Sequence, residues 1–335
     1  MLVADVTGGS GGTAPTTPDG GGPLAGTELL NRLRGTGRPR PPADPTLTRR
    51  LRCRLDDALT LCDRSGPHGD ADRRVVVTKA QLTRLLTCDV HVASISSDHV
   101  VPTRAMACGA IVDAAFRHLV TMGSIDDPMA EALAALRVGG RHDELLAWIA
   151  DLPDSEWSGL TDEVQAQTDG LCRRWPRLDP AWMPRTQESM RVQVAGGAVE
   201  LATRVDLALG VPGEEVASVA LVEVKSGIPR PEHGADLGFA ALIESLRNTA
   251  PPFAVATYYT RTGDLRVEPV SEAELLDAAD RTIAGVSRHL AERRGAALDA
   301  PPEEWCAACR QLSSVRGAGP VEARAGGRPV RGTSL

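Results

Sequence analysis

The sequence predicts an α/β domain whose helical half precedes its stranded half. Three observations carry this expectation. Apolar residues recur at helical spacing from about residue 46 to 178, alternate at strand spacing after Pro184, and then follow helical and extended patterns in turn to about 294. The chain has 335 residues, 42% of them hydrophobic, which is enough for one large core with appendages. A net charge of −7 does not by itself mark a nucleic-acid binder. Affinity for a polyanion would have to come from a local basic patch.

Residues 1–45 are rich in Gly, Thr and Pro (GGSGGTAPTTPDGGG) and are expected to be disordered. GGSGGT lacks the lysine and flanking strand of a phosphate loop and reads as linker. The folded domain is expected over 46–310, with a Gly- and Arg-rich disordered tail over 311–335. Leu47, Leu51, Leu55 and Leu59 recur every four residues, and Cys62 continues the stripe, which predicts a core-facing helix. Thr78 and Gln81 then form a capping box for a helix carrying Leu82, Leu85 and Leu86 and ending near Cys88. A helix over 104–121 presents Ile111, Val112, Ala115, Phe116 and Leu119 on one side. Asp126–Asp127–Pro128 starts the next helix and Gly139–Gly140 stops it. The run LLAWIADL and a helix with Trp157, Leu160, Val164, Leu171 and Trp175 complete an all-helical insert over 122–178.

Strands follow: Val192/Val194, Val199/Leu201, Val205/Leu207/Leu209 and Val219/Leu221 alternate, with GG at 196–197 and PGEE at 212–215 as turns. A helix at about 234–248, the strand FAVATYYT, the turn RTGD and the strand LRVEPV come next. Ser271 and Glu274 cap a last helix reaching about 294. No apolar run reaches the length of a membrane span, and the N-terminus has no basic-then-apolar leader. The expectation is a cytoplasmic chain without a membrane partner, its seven cysteines thiols or ligands rather than disulfides.

The chemistry centres on VALVEVKSG, residues 219–227, where two charges interrupt an apolar run. In a strand, Val219, Leu221, Glu223 and Lys225 share a face, and Ala220, Val222 and Val224 share the other. An isolated E-x-K at a strand end is most often a solvated ion pair. Asp206 changes the weight, because a hairpin through LGVPGEEVAS would set it beside Glu223. Two carboxylates and one ammonium suit metal-assisted hydrolysis of a phosphodiester. Mg²⁺ (or Mn²⁺) takes hard oxygen ligands: Asp206, Glu223 and the Val224 carbonyl. Lys225 would orient the attacking water or stabilise the pentavalent phosphate.

The pattern of Asp206, a turn, then Glu223-Val224-Lys225 resembles the signature of the PD-(D/E)xK nuclease superfamily. The order QLTRLLTC, GAIVDAAF, RVDLALG…LVEVKSG, WCAAC resembles its RecB and Cas-associated exonuclease branch over about 75–310. The resemblance implies a restriction-endonuclease-like core, with a mixed central β-sheet flanked by helices and a helical insert. It also implies a metal-dependent nuclease acting on DNA in repair, recombination or phage defence, beside a helicase or another repair or defence protein. Where the branch carries a ligating His, this chain has Asp113, which is either a further ligand or an exposed i,i+4 partner of Arg117. Where the branch places a Gln and a Tyr after the lysine, HGADLGFAAL offers Asp236 and no Tyr. These departures support the alternative of a catalytically weakened scaffold that binds DNA or a protein partner.

WCAAC (305–309) follows a Pro-Pro turn and so reads as a ligand pair rather than a redox motif. In the branch, one N-terminal and three C-terminal cysteines hold a [4Fe–4S] cluster. Cys88, Cys306 and Cys309 match three of those positions, and no cysteine follows Cys309. With His91 the same residues would suit Zn²⁺, as in a zinc-stapled interaction module; the remaining reading is a degenerate, metal-free site. Cys108 and Cys172 read as packed thiols. Candidate nucleic-acid contacts are Ser226, Arg185, Arg230 and Arg261, with Arg288, Arg293 and Arg294 on the last helix. Of Tyr258 and Tyr259, one is expected in the core and the other free to stack on a base.

Overall fold

A computed structural model describes residues 26–35, 39–64, 74–86, 102–140, 142–248 and 250–293. Its centre is a mixed six-stranded sheet of β1 (Val75–Thr78), β2 (Arg185–Val194), β3 (Val199–Leu209), β4 (Ala220–Lys225), β5 (Ala254–Tyr259) and β6 (Asp264–Pro269). The order is β1-β3-β4-β5-β6, and β2 also pairs with β3. The helices are α1 (Gly26–Arg34), α2 (Pro45–Arg64), α3 (Lys79–Leu85), α4 (Arg104–Met122), α5 (Pro128–Gly139), α6 (Asp143–Ala150), α7 (Asp154–Arg174), α8 (Pro231–Arg247) and α9 (Glu272–Arg293). The expected architecture, a mixed central sheet flanked by helices with a helical insert, is the one observed.

One feature of the topology positions the site. β2 pairs antiparallel along one edge of β3, from Val199 to Ala208. The opposite edge of β3 is shared by two strands. β1 runs parallel to Val199–Ala202, and β4 runs antiparallel to Leu207–Leu209. β1 and β4 therefore head toward each other, and their C-terminal ends meet beside the middle of β3. Whatever follows Thr78 must then stand near Glu223 and Lys225. β5 lies parallel to β4, reached through α8, and β6 returns antiparallel.

Alternation along the strands feeds two cores. Leu221 and Val255 pack with Leu51, Leu55, Leu59, Leu242 and Val286 from α2, α8 and α9. Val222, Leu207 and Tyr258 pack with Leu29, Phe116 and Trp175. Trp175 meets both Phe116 and Tyr258 edge-on, at centroid distances of 4.8 and 5.0 Å, and so fastens the end of the insert to the sheet. The insert and α4 share a core of their own, built on Ile111, Leu133, Ile149, Leu160 and Val164. The signals read from sequence account for its helix ends. Asp127 caps α5 by accepting from the Ala130 amide, with Pro128 at the first turn and Gly140 in the left-handed conformation after it. The Thr78–Gln81 capping box opens α3.

Two expectations need correction, and one strand carries no sequence signal. The fold begins before residue 46, because α1 buries Leu29 and Leu33 completely against the sheet. A short leucine pair inside a Gly-rich stretch is too little periodicity to reveal an amphipathic helix. VVVT at 75–78 is a strand, too short to display alternation in sequence. Finally, α4 is long and apolar enough, by length and composition, to cross a membrane. Much of it is buried in this domain, with Ala107, Ile111, Val112, Ala115 and Phe116 inside.

Candidate active site

The end of β4 delivers Glu223, Val224 and Lys225 to one point, and β3 delivers Asp206 to the same point. The Val224 amide donates to Asp206 Oδ2 at 2.7 Å. Lys225 Nζ donates to Glu223 Oε1 at 3.0 Å. Glu223 is only 4% exposed, so this is a buried ion pair rather than a solvated one. Asp206, Glu223 and Lys225 therefore converge as the sequence reading expects.

The structure adds a second ammonium that the sequence reading missed. Lys79 Nζ, the first residue of α3, also donates to Glu223 Oε1. The two residues are 144 positions apart. Only the meeting of β1 and β4 over β3 brings them together, and no local spacing signals it. Glu223 Oε2 meanwhile is buried with no hydrogen-bond partner. Asp236 of α8 closes the cluster, with Oδ1 accepting from Thr83 at 3.0 Å and Oδ2 lying 3.8 Å from Lys225 Nζ.

Gln187 is likewise not signalled by the sequence. The β2–β3 ladder pairs Thr186 with Leu207 and Glu188 with Val205, and Gln187 between them leaves the ladder with φ at 54°. A non-glycine side chain in the left-handed region is disfavoured by roughly 1–2 kcal/mol. Here the strained backbone aims the side-chain amide at the acidic cluster: Nε2 donates to Asp113 Oδ1 at 3.0 Å and Oδ2 at 3.2 Å, and to Asp206 Oδ1 at 3.3 Å. Asp113 thus faces the site from α4. Of its two sequence readings, the exposed pair with Arg117 is not the arrangement found.

The electrostatics follow from burial of three carboxylates together. Burial, then Glu223 and Asp113, push Asp206 up to about 8, against the pull of the Val224 amide and Lys79. Burial also raises Asp113, tempered by Arg117 and Arg204 and by a hydrogen bond from the Asp206 carboxyl. Glu223 goes the other way: burial pushes it up, but Lys79 and Lys225 together outweigh burial and hold it below the usual carboxylate range. Burial works against the charge on Lys225, yet Glu223 and Asp236 keep its ammonium above the ordinary value. The cluster therefore contains one firmly ionised carboxylate and one that retains a proton near neutrality.

Asp113, Asp206, Glu223 and Lys225 line a cavity of about 330 Å³, together with Ser226, Gly227, Arg230 and His233. Ser226 and Arg230 are thus at the site. His233, to which the sequence assigns no role, is there too, its Nδ1 3.1 Å from the Tyr259 hydroxyl. Burial and the neighbouring Lys225 lower its pKa. Behind the cavity, the Thr260 amide donates to the Lys225 carbonyl at 3.0 Å. Thr260 Oγ1 donates to Gln167 Oε1 at 2.5 Å, and Gln167 Nε2 reaches Cys108 Sγ at 3.3 Å. The insert thereby anchors the strand end that carries the lysine.

Other expected site residues lie elsewhere. Arg185 at the start of β2 turns away, its guanidinium on the Gly210 carbonyl and 3.5 Å from Glu188. Strand pairing at the far end of β3 decides this. Arg261 meets Glu163 on the insert at 3.3 Å. Both Tyr258 and Tyr259 are buried, so neither ring is open to a base. Cys108 is buried, whereas Cys172 is exposed on α7 rather than packed. Cys88, His91, Cys306 and Cys309, and with them the cluster or zinc expectation, lie outside the described residues.

Whether a hard divalent cation fits here turns on Glu223 Oε2. A buried carboxylate oxygen without a partner costs on the order of 1–3 kcal/mol or more, and a cation would satisfy it. Among the described residues, no three His, Cys, Asp or Glu side chains form a ready-made ligand group. Two carboxylates and a backbone carbonyl, completed by water, still match what an Mg²⁺-type ion accepts.

Fold and site together define an α/β protein whose mixed sheet carries a buried carboxylate–lysine cluster where two strands meet. No family model matches the chain, and no curated protein matches it in sequence. Among solved structures it is similar to a presumed exonuclease from Eubacterium rectale, at 13% identity and a TM-score of 0.45, over 73% of this chain and 90% of that one. It is also similar to SSO0001, at 13% identity and a TM-score of 0.25, over 71% of this chain and 84% of that one. At these values the likeness bears on neither chemistry nor substrate.

Proposed function

We propose that the chain is a Mg²⁺- or Mn²⁺-dependent nuclease that hydrolyses DNA phosphodiester bonds, working in repair, recombination or phage defence beside a helicase or similar partner. The observation that carries this reading is the convergence of Asp206 and the Glu223–Lys225 pair, with Val224 donating to Asp206 at 2.7 Å and Lys225 to Glu223 at 3.0 Å. The cation would be held by Asp206, Glu223 and the Val224 carbonyl, with Asp113 beside them. When bound, it supplies Lewis-acid polarisation of the phosphate and acidifies water.

The chain's own residues do the rest. The Lys225 ammonium sits at the cavity wall, where it balances charge growing on the phosphate or holds the attacking water. Ser226, the Gly227 amide and Arg230 line the same cavity and would receive phosphate oxygens of the strand. With a cation held there, the Asp206–Asp113 pair would be ionised, its proton passed to solvent water through the cavity the two residues line. Gln187 then keeps the two carboxylates oriented.

Two observations favour the second reading, a scaffold that binds DNA or a protein without cutting. Glu223 Oε1 already meets two ammonium groups, and no ready-made ligand triad is present among the described residues. A cleavage assay separates the two. Purified full chain is incubated with single- and double-stranded DNA and Mg²⁺ or Mn²⁺, beside Lys225→Ala. Cutting by the wild type that the variant loses supports the enzyme. DNA retention by a folded wild type that never cuts supports the scaffold.

A further inference from the structure

We propose that Lys79 is an internal counter-cation for Glu223 that a divalent cation displaces, and that Asp236 receives the displaced ammonium. The inference rests on reading Asp206 and Glu223 as cation ligands.

Two ammonium groups share a single oxygen of Glu223, while the other oxygen has no partner. The two lysines are not equivalent. Lys225 lines the 330 Å³ cavity with Ser226 and Arg230, where a substrate would enter. Lys79 instead lines a small separate void of about 10 Å³ with Thr83 and Asp236. Lys79 opens α3, where the helix dipole disfavours a cation, so the ion pair rather than the helix accounts for its position. The Thr78–Gln81 capping box pins the backbone there, which leaves the four-carbon side chain as the mobile part. Asp236 borders the same void, its Oδ1 held by Thr83 and its Oδ2 3.8 Å from Lys225. It is a carboxylate already in place for an ammonium that leaves Glu223.

The test is Mn²⁺ binding to the full chain without DNA, followed by the paramagnetic signal of free Mn²⁺. Lys79→Met removes the competitor and is expected to bind Mn²⁺ about tenfold more tightly than wild type. Lys79→Arg retains the charge and is expected to stay near wild type, which separates charge from mere packing. Asp236→Asn is expected to weaken binding about fivefold in wild type and to have little effect in the Lys79→Met background. Equal affinity in wild type and Lys79→Met overturns the assignment of Lys79 and leaves the metal reading standing. Absence of Mn²⁺ binding to wild type and to Lys79→Met overturns both. Should Lys79→Met fail to fold, Asp236→Asn decides alone, and unchanged affinity there overturns the proposal.

Discussion

The main-chain amide of Val224 donates to Asp206 Oδ2 at 2.7 Å, so the strand carrying Glu223 and Lys225 holds the third charged residue through its own backbone. This bond lies just past the last ladder pair, Leu207 with Val222. The side chain of Asp206 takes over where regular pairing stops, and the strand ends splay around it.

Replacing Asp206 with Asn keeps the shape and the hydrogen bond from Val224 but removes the carboxyl's ability to ionise. On the proposed reading, Asp206→Asn and Lys225→Met each lower the cleavage rate by about 10²–10⁴-fold. Only Asp206→Asn is expected to lose Mn²⁺ affinity as well. Rates from a fluorogenic oligonucleotide and a metal titration check both, and a Lys225→Met protein that cuts at the wild-type rate removes the lysine from the chemistry.

The proton on Asp206 makes stability depend on pH. An ordinary Asp titrates near 4 in the unfolded chain, whereas burial and two neighbouring carboxylates push Asp206 up to about 8 in the fold. The folded chain therefore binds this proton more tightly than the unfolded one. The resulting stabilisation is full below about pH 4 and is lost as pH rises toward 8. With divalent ions chelated, wild type is expected to lose more melting temperature between pH 6 and 8 than Asp206→Asn. Parallel slopes in the two proteins would falsify the shift.

At Gln187 the backbone, at φ 54°, is what glycine tolerates best. Gln187→Gly and Gln187→Ala both delete the amide that bridges Asp113 and Asp206. Their difference isolates the backbone, and the Gly variant is expected to be more stable by about 1 kcal/mol. Urea denaturation measures it. Identical midpoints would mean that residue 187 is not held in the left-handed region.

Thr260 ties the Lys225 carbonyl to the insert through Gln167. Thr260→Val preserves shape and leaves the buried Gln167 carbonyl oxygen unpaired. The expected loss is about 1–3 kcal/mol of unfolding free energy. No loss in chemical denaturation would show that the insert does not brace the strand end.

Leu33 of α1 is buried against the sheet core. Leu33→Ala is expected to destabilise the protein by about 2–5 kcal/mol. A disordered N-terminal segment would instead make the substitution silent, so a thermal melt distinguishes the two directly.

How much of this was legible beforehand depends on the distance over which each signal acts. Glu223 and Lys225 stand out because charge interrupts an apolar strand within nine residues, and Asp206 is one hairpin away. Caps such as Asp127–Pro128 and Thr78–Gln81 are equally local, since the groups they satisfy lie within one helical turn. Asp113 was visible as a residue but not as a neighbour. Its two readings differ only in which way α4 faces, and packing of the insert against the sheet decides that.

Lys79, Gln187 and His233 belong to a different kind of information. Lys79 reaches Glu223 because β1 and β4 abut on one edge of β3, and Gln187 reaches Asp113 because its backbone leaves the ladder. The amino-acid sequence alone determined the strands after Pro184, most helix ends and the charged triad, because periodicity and capping act between near neighbours. Only the tertiary structure decided which distant groups share the pocket and which carboxylate keeps its proton, because burial and Coulomb interactions depend on distance in space, not along the chain.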